Sequence, residues 1–229
     1  MKIRSFSLFP QILDAATSCG VAGQGVKKGL LDIEHIYIRD YATDKHKTCD
    51  DTPCGGGQGM VMKLEPIYNA FKAHGLIPNT GNKKIILCSP AGRVFNQSIA
   101  RELAQLGEIN ILCGRYEGID ARISNYINDE ISIGDYILSG GELAGAVIID
   151  SVVRLLPEII GNPASHMEES FEEGLLDYPA YTKPEVFDGH SVPEVLMSGN
   201  HAKIEKWRRE QALELTKKRR PDLLKDSEK

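Results

Sequence analysis

The sequence predicts an α/β protein with a parallel sheet, followed by a small basic helical domain. Three observations point there. Ile-rich runs bounded by turn residues alternate with helical stretches over the first two-thirds of the chain. One strand–helix–strand unit lies between Lys84 and Cys113. Beyond a glutamate-rich interval the chain turns irregular and then becomes a helix covered with Lys and Arg.

The strand candidates are Ile33-Glu34-His35-Ile36-Tyr37-Ile38, Lys84-Ile85-Ile86-Leu87-Cys88 and Ile109-Asn110-Ile111-Leu112-Cys113. Between the last two, Asn96 to Leu106 sets Ile99, Leu103 and Leu106 at helical spacing. Strand, helix and strand of this length form a βαβ unit, and such units build parallel sheets. Gly141 to Leu156 predicts a second helix, with Val147, Ile148, Ile149, Val152 and Val153 packed toward a core. The interval Gly161 to Asp177 holds Gly161-Asn162-Pro163, then Glu168, Glu169, Glu172 and Glu173, with little periodicity. It predicts an exposed, mobile linker. Pro179, Pro184 and Pro193 keep the chain irregular until Asn200, a good N-cap for a helix to about Leu215. Ile204, Trp207, Gln211 and Leu215 share one face of that helix, and basic residues cover the rest. The expected organisation is a domain of residues 1–160, a linker of 161–176 and a helical domain of 177–229.

Bulk properties narrow the function. A chain of 229 residues with 41% hydrophobic and 26% charged content suits a globular protein with a sizeable core. Met1 to Pro10 has no basic segment followed by an apolar stretch, so no signal peptide is expected. Asp150, Arg154, Pro157 and Glu158 interrupt the most apolar region, which argues against a membrane span. Five cysteines, an odd number, predict reduced thiols in a cytoplasmic protein. His46, Cys49 and Cys54 lie close together but lack a second ligand pair, so no metal site is expected there. The net charge of −5 argues against indiscriminate nucleic-acid binding. Between Gly199 and Arg220, however, Lys203, Lys206, Arg208, Arg209, Lys217, Lys218, Arg219 and Arg220 face only Glu205, Glu210 and Glu214. A local basic surface on an acidic protein suits a selective encounter with one polyanion, although a solvated helix face has the same look.

Glycine-rich segments mark the ligand side: Pro53 to Met60, Gly114 to Gly118 and Ile133 to Glu142. The second directly follows a predicted strand, and ligands of open α/β sheets bind at the carboxyl ends of strands. None fits a phosphate-cradling motif, so a nucleoside triphosphate or a dinucleotide is not expected. An adenine-bearing ligand read by backbone groups fits better. Each loop alone is more often a plain tight turn.

The same segments carry a resemblance. Pro53 to Met62, Leu87 to Arg93, Cys113 to Asp120, Ser132 to Leu143, Gly174 to Pro179, Tyr181 to Glu185, Ser198 to His201, Trp207 to Gln211 and Arg219 to Leu224 resemble the TrmD family of bacterial tRNA (guanine-N1)-methyltransferases. The resemblance covers nearly the whole chain. It implies the SPOUT fold, an α/β domain whose C-terminal part is tied in a deep trefoil knot, plus the helical C-terminal domain. It also implies a homodimer with the active site at the interface. The implied reaction takes a methyl group from S-adenosylmethionine to N1 of guanosine-37 of tRNA, where another guanosine precedes it. A magnesium ion is compatible with tRNA as substrate, but no carboxylate cluster marks a site. The alternatives are a SPOUT enzyme acting on another RNA, a non-catalytic RNA-binding protein, and a generic nucleotide-dependent enzyme.

Carried over residue by residue, the resemblance places the methyl donor among Ser89, Pro90 and Gly92, then Gly114, Tyr116, Glu117 and Gly118, then Ser132, Ile133, Gly134, Asp135, Tyr136, Ile137 and Leu138 with Gly140 and Gly141. Ile133, Tyr136 and Leu138 are expected to enclose adenine. Guanine N1 becomes nucleophilic only as its proton leaves, which calls for a carboxylate base, and charge building on O6 calls for a fixed cation. Arg154 matches the family's catalytic arginine. The family's base lies in an Asp-Ser-Phe segment, which here reads Glu169-Ser170-Phe171. Glu169 is the expected base, with Asp177 as a supporting carboxylate. Taken alone, Glu169 is an ordinary linker acid, and Arg154 suits a salt bridge. Ser198, Asn200, His201, Lys203, Lys206, Arg208 and Arg209 are expected to hold tRNA phosphates, with Arg115 contributing from the first domain.

Overall fold

The computed structural model describes residues 1–77, 81–159, 170–171 and 174–225. They belong to two compact units, Met1–Gly161 and Asn162–Lys229. The first unit runs β1 (Lys2–Ser7), α1 (Pro10–Thr17), α2 (Gly20–Lys27), β2 (Asp32–Tyr37), β3 (Asp50–Asp51), β4 (Val61–Met62), α3 (Leu64–Ala73), β5 (Lys83–Val94), α4 (Gln97–Ala104), β6 (Glu108–Cys113), β7 (Asp129–Ser132) and α5 (Glu142–Val153). The central sheet has the order β2-β1-β6-β5-β7, and all its pairings are parallel.

The expected strands are present. The inner β5 and β6 are apolar on both faces, as a parallel sheet covered on both sides requires. The edge strand β2, observed as Asp32–Tyr37, buries only Ile36. Ile109, Ile111 and Cys113 of β6 point into one core layer with Ile148, Ile149, Val152 and Val153 of α5. Leu112 points into the other, with Ile67 and Phe71 of α3. The βαβ unit also stands as expected: Asn96 Oδ1 accepts the Ile99 N–H at 3.0 Å and caps α4. The helix over Gly141 to Leu156 is observed as Glu142–Val153. All five cysteines are free, with Cys49, Cys88 and Cys113 buried.

One strand departs from expectation. The run Lys84 to Cys88 does not end there; β5 continues to Val94 after a register shift between Cys88 and Arg93. Pro90 has no N–H to give the ladder, and the Ala91 N–H turns to Ser89 Oγ at 3.2 Å. The strand therefore arcs out and rejoins β7 at Arg93. Arg93 pins the return, donating to Asp129 Oδ2 at 3.0 Å through Nε and to Glu102 Oε2 at 2.9 Å. The guanidinium of Arg93, helped by Lys84, holds the Glu102 carboxyl down at about 2. At Gly92 a Cβ would overlap the backbone of Glu130 and Ile131. Gly92→Ala is thus expected to destabilise the fold by about 1–3 kcal/mol, the usual range for overpacking. A thermal melt within a degree of wild type would contradict it.

The second unit holds β8 (Val186–Phe187), β9 (His190–Ser191), α6 (Glu194–Met197), α7 (His201–Arg219) and α8 (Asp222–Lys225). Asn200 caps α7, its Oδ1 accepting the Lys203 N–H at 3.2 Å. Ile204, Trp207, Gln211 and Leu215 are half-buried on one face, while Lys203, Lys206, Arg208 and Arg209 are exposed. The helix outlasts the expected end at Leu215 because Thr216 is fully buried and fastened. Its Oγ1 donates to the Ala212 carbonyl at 2.7 Å and accepts the Leu176 N–H at 2.9 Å. Lys217, Lys218 and Arg219 then complement the carbonyl end of the helix. Of the linker expected at 161–176, only residues 170–171 and 174–176 are among the described residues.

Candidate active site

A cavity of about 510 Å³ opens at the carboxyl ends of β5, β6 and β7. Three chain segments wall it: the end of the first part of β5 with its arc, the turn after β6, and the loop from β7 to α5. The walls come together because the backbones are zipped. The Gly141 N–H donates to the Gly114 carbonyl at 2.8 Å, and Arg115 bridges Gly140 in antiparallel fashion. This approach needs glycine: a Cβ on Gly141 would stand 3.0 Å from Cys113 Cα. Tyr116 adopts φ 61°, a left-handed conformation uncommon for a bulky residue, and its ring is half exposed. Partial burial, and then the nearby Asp50 carboxylate, push its phenol pKa up. Beneath the cavity the Cys113 thiol sits beside Cys88, whose hydrogen bond and the surrounding burial keep it protonated.

All the residues expected around the donor line this cavity except Gly92 and Asp135. Gly92 lies on the return of the β5 arc, against the β7 backbone. Asp135 is exposed. Ile133 and Leu138 are half-buried and packed on the core. Tyr136 is 55% exposed and Ile137 82% exposed. Ile119, Ala121, Ile123 and Ser124 also line the cavity, on and beside a short 3₁₀ turn at Ala121–Asn125. No spacing pattern in the sequence singled them out.

Arg115, expected to reach tRNA phosphate, has a different set of partners. Its Nε lies 3.0 Å and its Nη2 3.0 Å from Glu142 Oε2, a carboxylate 1% exposed at the start of α5. Ser7 Oγ donates to the other oxygen of Glu142 at 2.7 Å. The Arg115 Nη1 donates to the Ser139 carbonyl at 3.2 Å, and the guanidinium lies 4.4 Å from the centre of the Phe9 ring. This side chain therefore braces two walls of the cavity against the first strand.

Arg154 follows α5 directly, its N–H donating to the Asp150 carbonyl at 3.3 Å, and is not among the residues lining the cavity. Asp177 is exposed in the second unit; its N–H donates to Ser170 Oγ at 2.8 Å. Glu169 lies outside the described residues. Ser198, Asn200 and His201 are exposed at the start of α7. Among the described residues no three His, Cys, Asp or Glu side chains gather as a metal-holding group. Among them, too, no helix is long and apolar enough to cross a membrane.

A parallel sheet whose strand-end loops close on a glycine-walled, partly apolar cavity defines an α/β protein with a small-ligand site. The chain belongs to the TrmD family: the family model described as tRNA (Guanine-1)-methyltransferase TrmD matches residues 1–226. Proteins named tRNA (guanine-N(1)-)-methyltransferase are similar to it throughout. That of Geobacter metallireducens is 50% identical, over 98% of this chain and 91% of the relative. That of Sulfurihydrogenibium sp. is 51% identical, over 98% and 87%. That of Clostridioides difficile is 48% identical, over 99% of both.

Proposed function

We propose that this protein transfers a methyl group from S-adenosylmethionine to N1 of guanosine-37 of tRNA, where a guanosine precedes it, and that it works in the cytoplasm. The strand-end cavity in a chain matched over residues 1–226 by the TrmD family carries this reading. The cavity suits such a donor. Its volume falls in the range of small-ligand sites, roughly 300–1,000 Å³, and it pairs apolar side chains with backbone groups exposed at glycines. The β5 arc, the Gly114 to Gly118 turn and the Ser132 to Gly141 loop hold the donor, which when bound supplies an electrophilic methyl group. Methylation of labelled tRNA, followed by digestion to nucleosides, should return the label as 1-methylguanosine. Label in any other nucleoside would contradict the N1 assignment.

The protein's own groups handle the guanine. In this reading Glu169 takes the N1 proton, and the Arg154 guanidinium balances the charge that builds on O6. Asp177, whose backbone N–H donates to Ser170 Oγ, is the supporting carboxylate in this reading. Glu has one methylene more than the family's Asp, and a misplacement of about 1 Å can lower a rate on the order of 100-fold; the segment must absorb that length. Glu169→Gln is expected to lower turnover at saturating tRNA by about 100-fold or more, with donor affinity unchanged. Near-normal turnover would remove Glu169 from the mechanism.

Three further parts belong to the reading. Residues 177–229, within the second unit, are a tRNA-binding domain, supported by the exposed cations on α7. Neutralising Lys206 and Arg209 together should weaken tRNA binding and flatten its salt dependence, since each phosphate contact adds about 0.9 to the slope. An unchanged slope would take α7 out of the binding surface. The protein acts as a homodimer, supported by apolar surface on the outer face of a core helix: Leu143 and Val147 of α5 are 55% and 45% exposed. The C-terminal part of the first unit is tied in a deep trefoil knot. The arc of β5, pressed at Gly92 against the β7 backbone with the chain crossing from β6 over β5 to β7, supports that topology.

A further inference from the structure

The second unit has a cavity of its own, about 600 Å³, between α7 and the segment that precedes the β8–β9 hairpin. One cation–ring contact and one aromatic pair form beside it. The Arg208 guanidinium lies 4.7 Å from the centre of the Tyr178 ring, and the Tyr181 ring lies 6.3 Å from Trp207 at an interplanar angle of 55°. Tyr181 is 50% exposed and lines the cavity together with Lys183, Glu185, Ile204 and Arg208. Nothing in the proposed chemistry uses this place.

We propose that the cavity takes one base of the bound RNA, stacked on Tyr181, with the neighbouring phosphate held by Lys183 and Arg208. This rests on the proposed tRNA substrate and names a second place where the protein grips it. A base needs a flat apolar wall, which Tyr181 offers; its phosphate needs cations a few ångströms away, which Lys183 and Arg208 provide. Arg208 is suited to both demands. Its guanidinium carbon lies over the Tyr178 ring, and a guanidinium can stack on an aromatic face while its flat fork of donors binds phosphate. Glu185 adds an acceptor for an amino group on the base edge, as on guanine or cytosine. The exposed Lys203, Lys206 and Arg209 of the same helix give the surface around the cavity the charge of a polyanion site.

Trp207 is the chain's only tryptophan. It does not line the cavity, but its ring lies against that of Tyr181, which does, so its emission reports on the stacking wall. The full-length protein is titrated with an anticodon stem-loop RNA, with binding read independently by the polarisation of a dye on the RNA. The expected result is a change in Trp207 emission that saturates together with the polarisation. Tyr181→Ala should weaken binding roughly 5- to 150-fold, the span of one lost base stack, and Tyr181→Phe, which keeps the ring, should restore it. If Tyr181→Ala fails to fold by circular dichroism, the Tyr181→Phe affinity and the wild-type emission decide. RNA binding with constant Trp207 emission and an unweakened Tyr181→Ala overturns the proposal while leaving methyl transfer standing. An emission change that follows protein concentration without RNA assigns the cavity to a second copy and overturns it as well. No RNA binding at all overturns both this proposal and the proposed substrate.

Discussion

Replacing Arg154 by alanine should lower the turnover number by about 100- to 1,000-fold, the loss seen when one group stabilising a developing anion is removed. The proposed chemistry leaves the guanine O6 negative as N1 is deprotonated, and no rearrangement of solvent supplies a fixed cation there. Arg154 sits just past the last turn of α5, whose buried Ile148, Ile149, Val152 and Val153 anchor it in the core. Truncating the side chain therefore leaves the helix in place. Since Arg154 does not line the donor cavity, donor affinity measured by calorimetry should stay at the wild-type value. Arg154→Lys should recover only part of the rate, because a compact ammonium lacks the flat fork of donors. Equal losses in donor affinity and in turnover would show instead that Arg154 supports the fold.

Glu142→Gln has the largest expected effect on stability, about 3–5 kcal/mol, as for other buried ion pairs that lose one partner. The carboxylate is 1% exposed and accepts from Arg115 on two nitrogens and from Ser7. The amide would keep one acceptor and turn an NH2 toward a guanidinium that has only donors. At about 2–4 °C per kcal/mol for a chain of this size, the midpoint of thermal unfolding should fall by roughly 6–20 °C. Because Arg115 also holds the Ser139 carbonyl, donor affinity should fall with it. An unchanged melt would mean that the pair is not the brace the geometry describes.

Much of the fold was legible because a covered parallel sheet makes its strands apolar on both faces, as in Ile109 to Cys113. β1 did not show itself. Its Lys2, Arg4, Ser5 and Ser7 look like loop residues, and only the folded sheet places Arg4 between Glu34 at 3.1 Å and Glu108 at 2.6 Å. The second half of β5 was hidden for a related reason: Pro90 and Gly92 read locally as a strand end, while the pairing that resumes at Arg93 depends on β7. Around the cavity, the glycines were readable as places of close approach. The brace was not. Arg115 and Glu142 lie 27 positions apart, and no local pattern shows that a half-buried arginine will pair with a buried carboxylate so distant in sequence. Arg154 and Glu169 were named through the family resemblance; their spacing says nothing.

Guanosine-37 is the proposed methyl acceptor. The most direct test compares methyl transfer from labelled S-adenosylmethionine to an unmodified tRNA carrying guanosines at 36 and 37 with transfer to the same tRNA bearing adenosine at 37. Label in the first alone is the predicted result; equal label in both would move the acceptor elsewhere in the RNA and contradict the account.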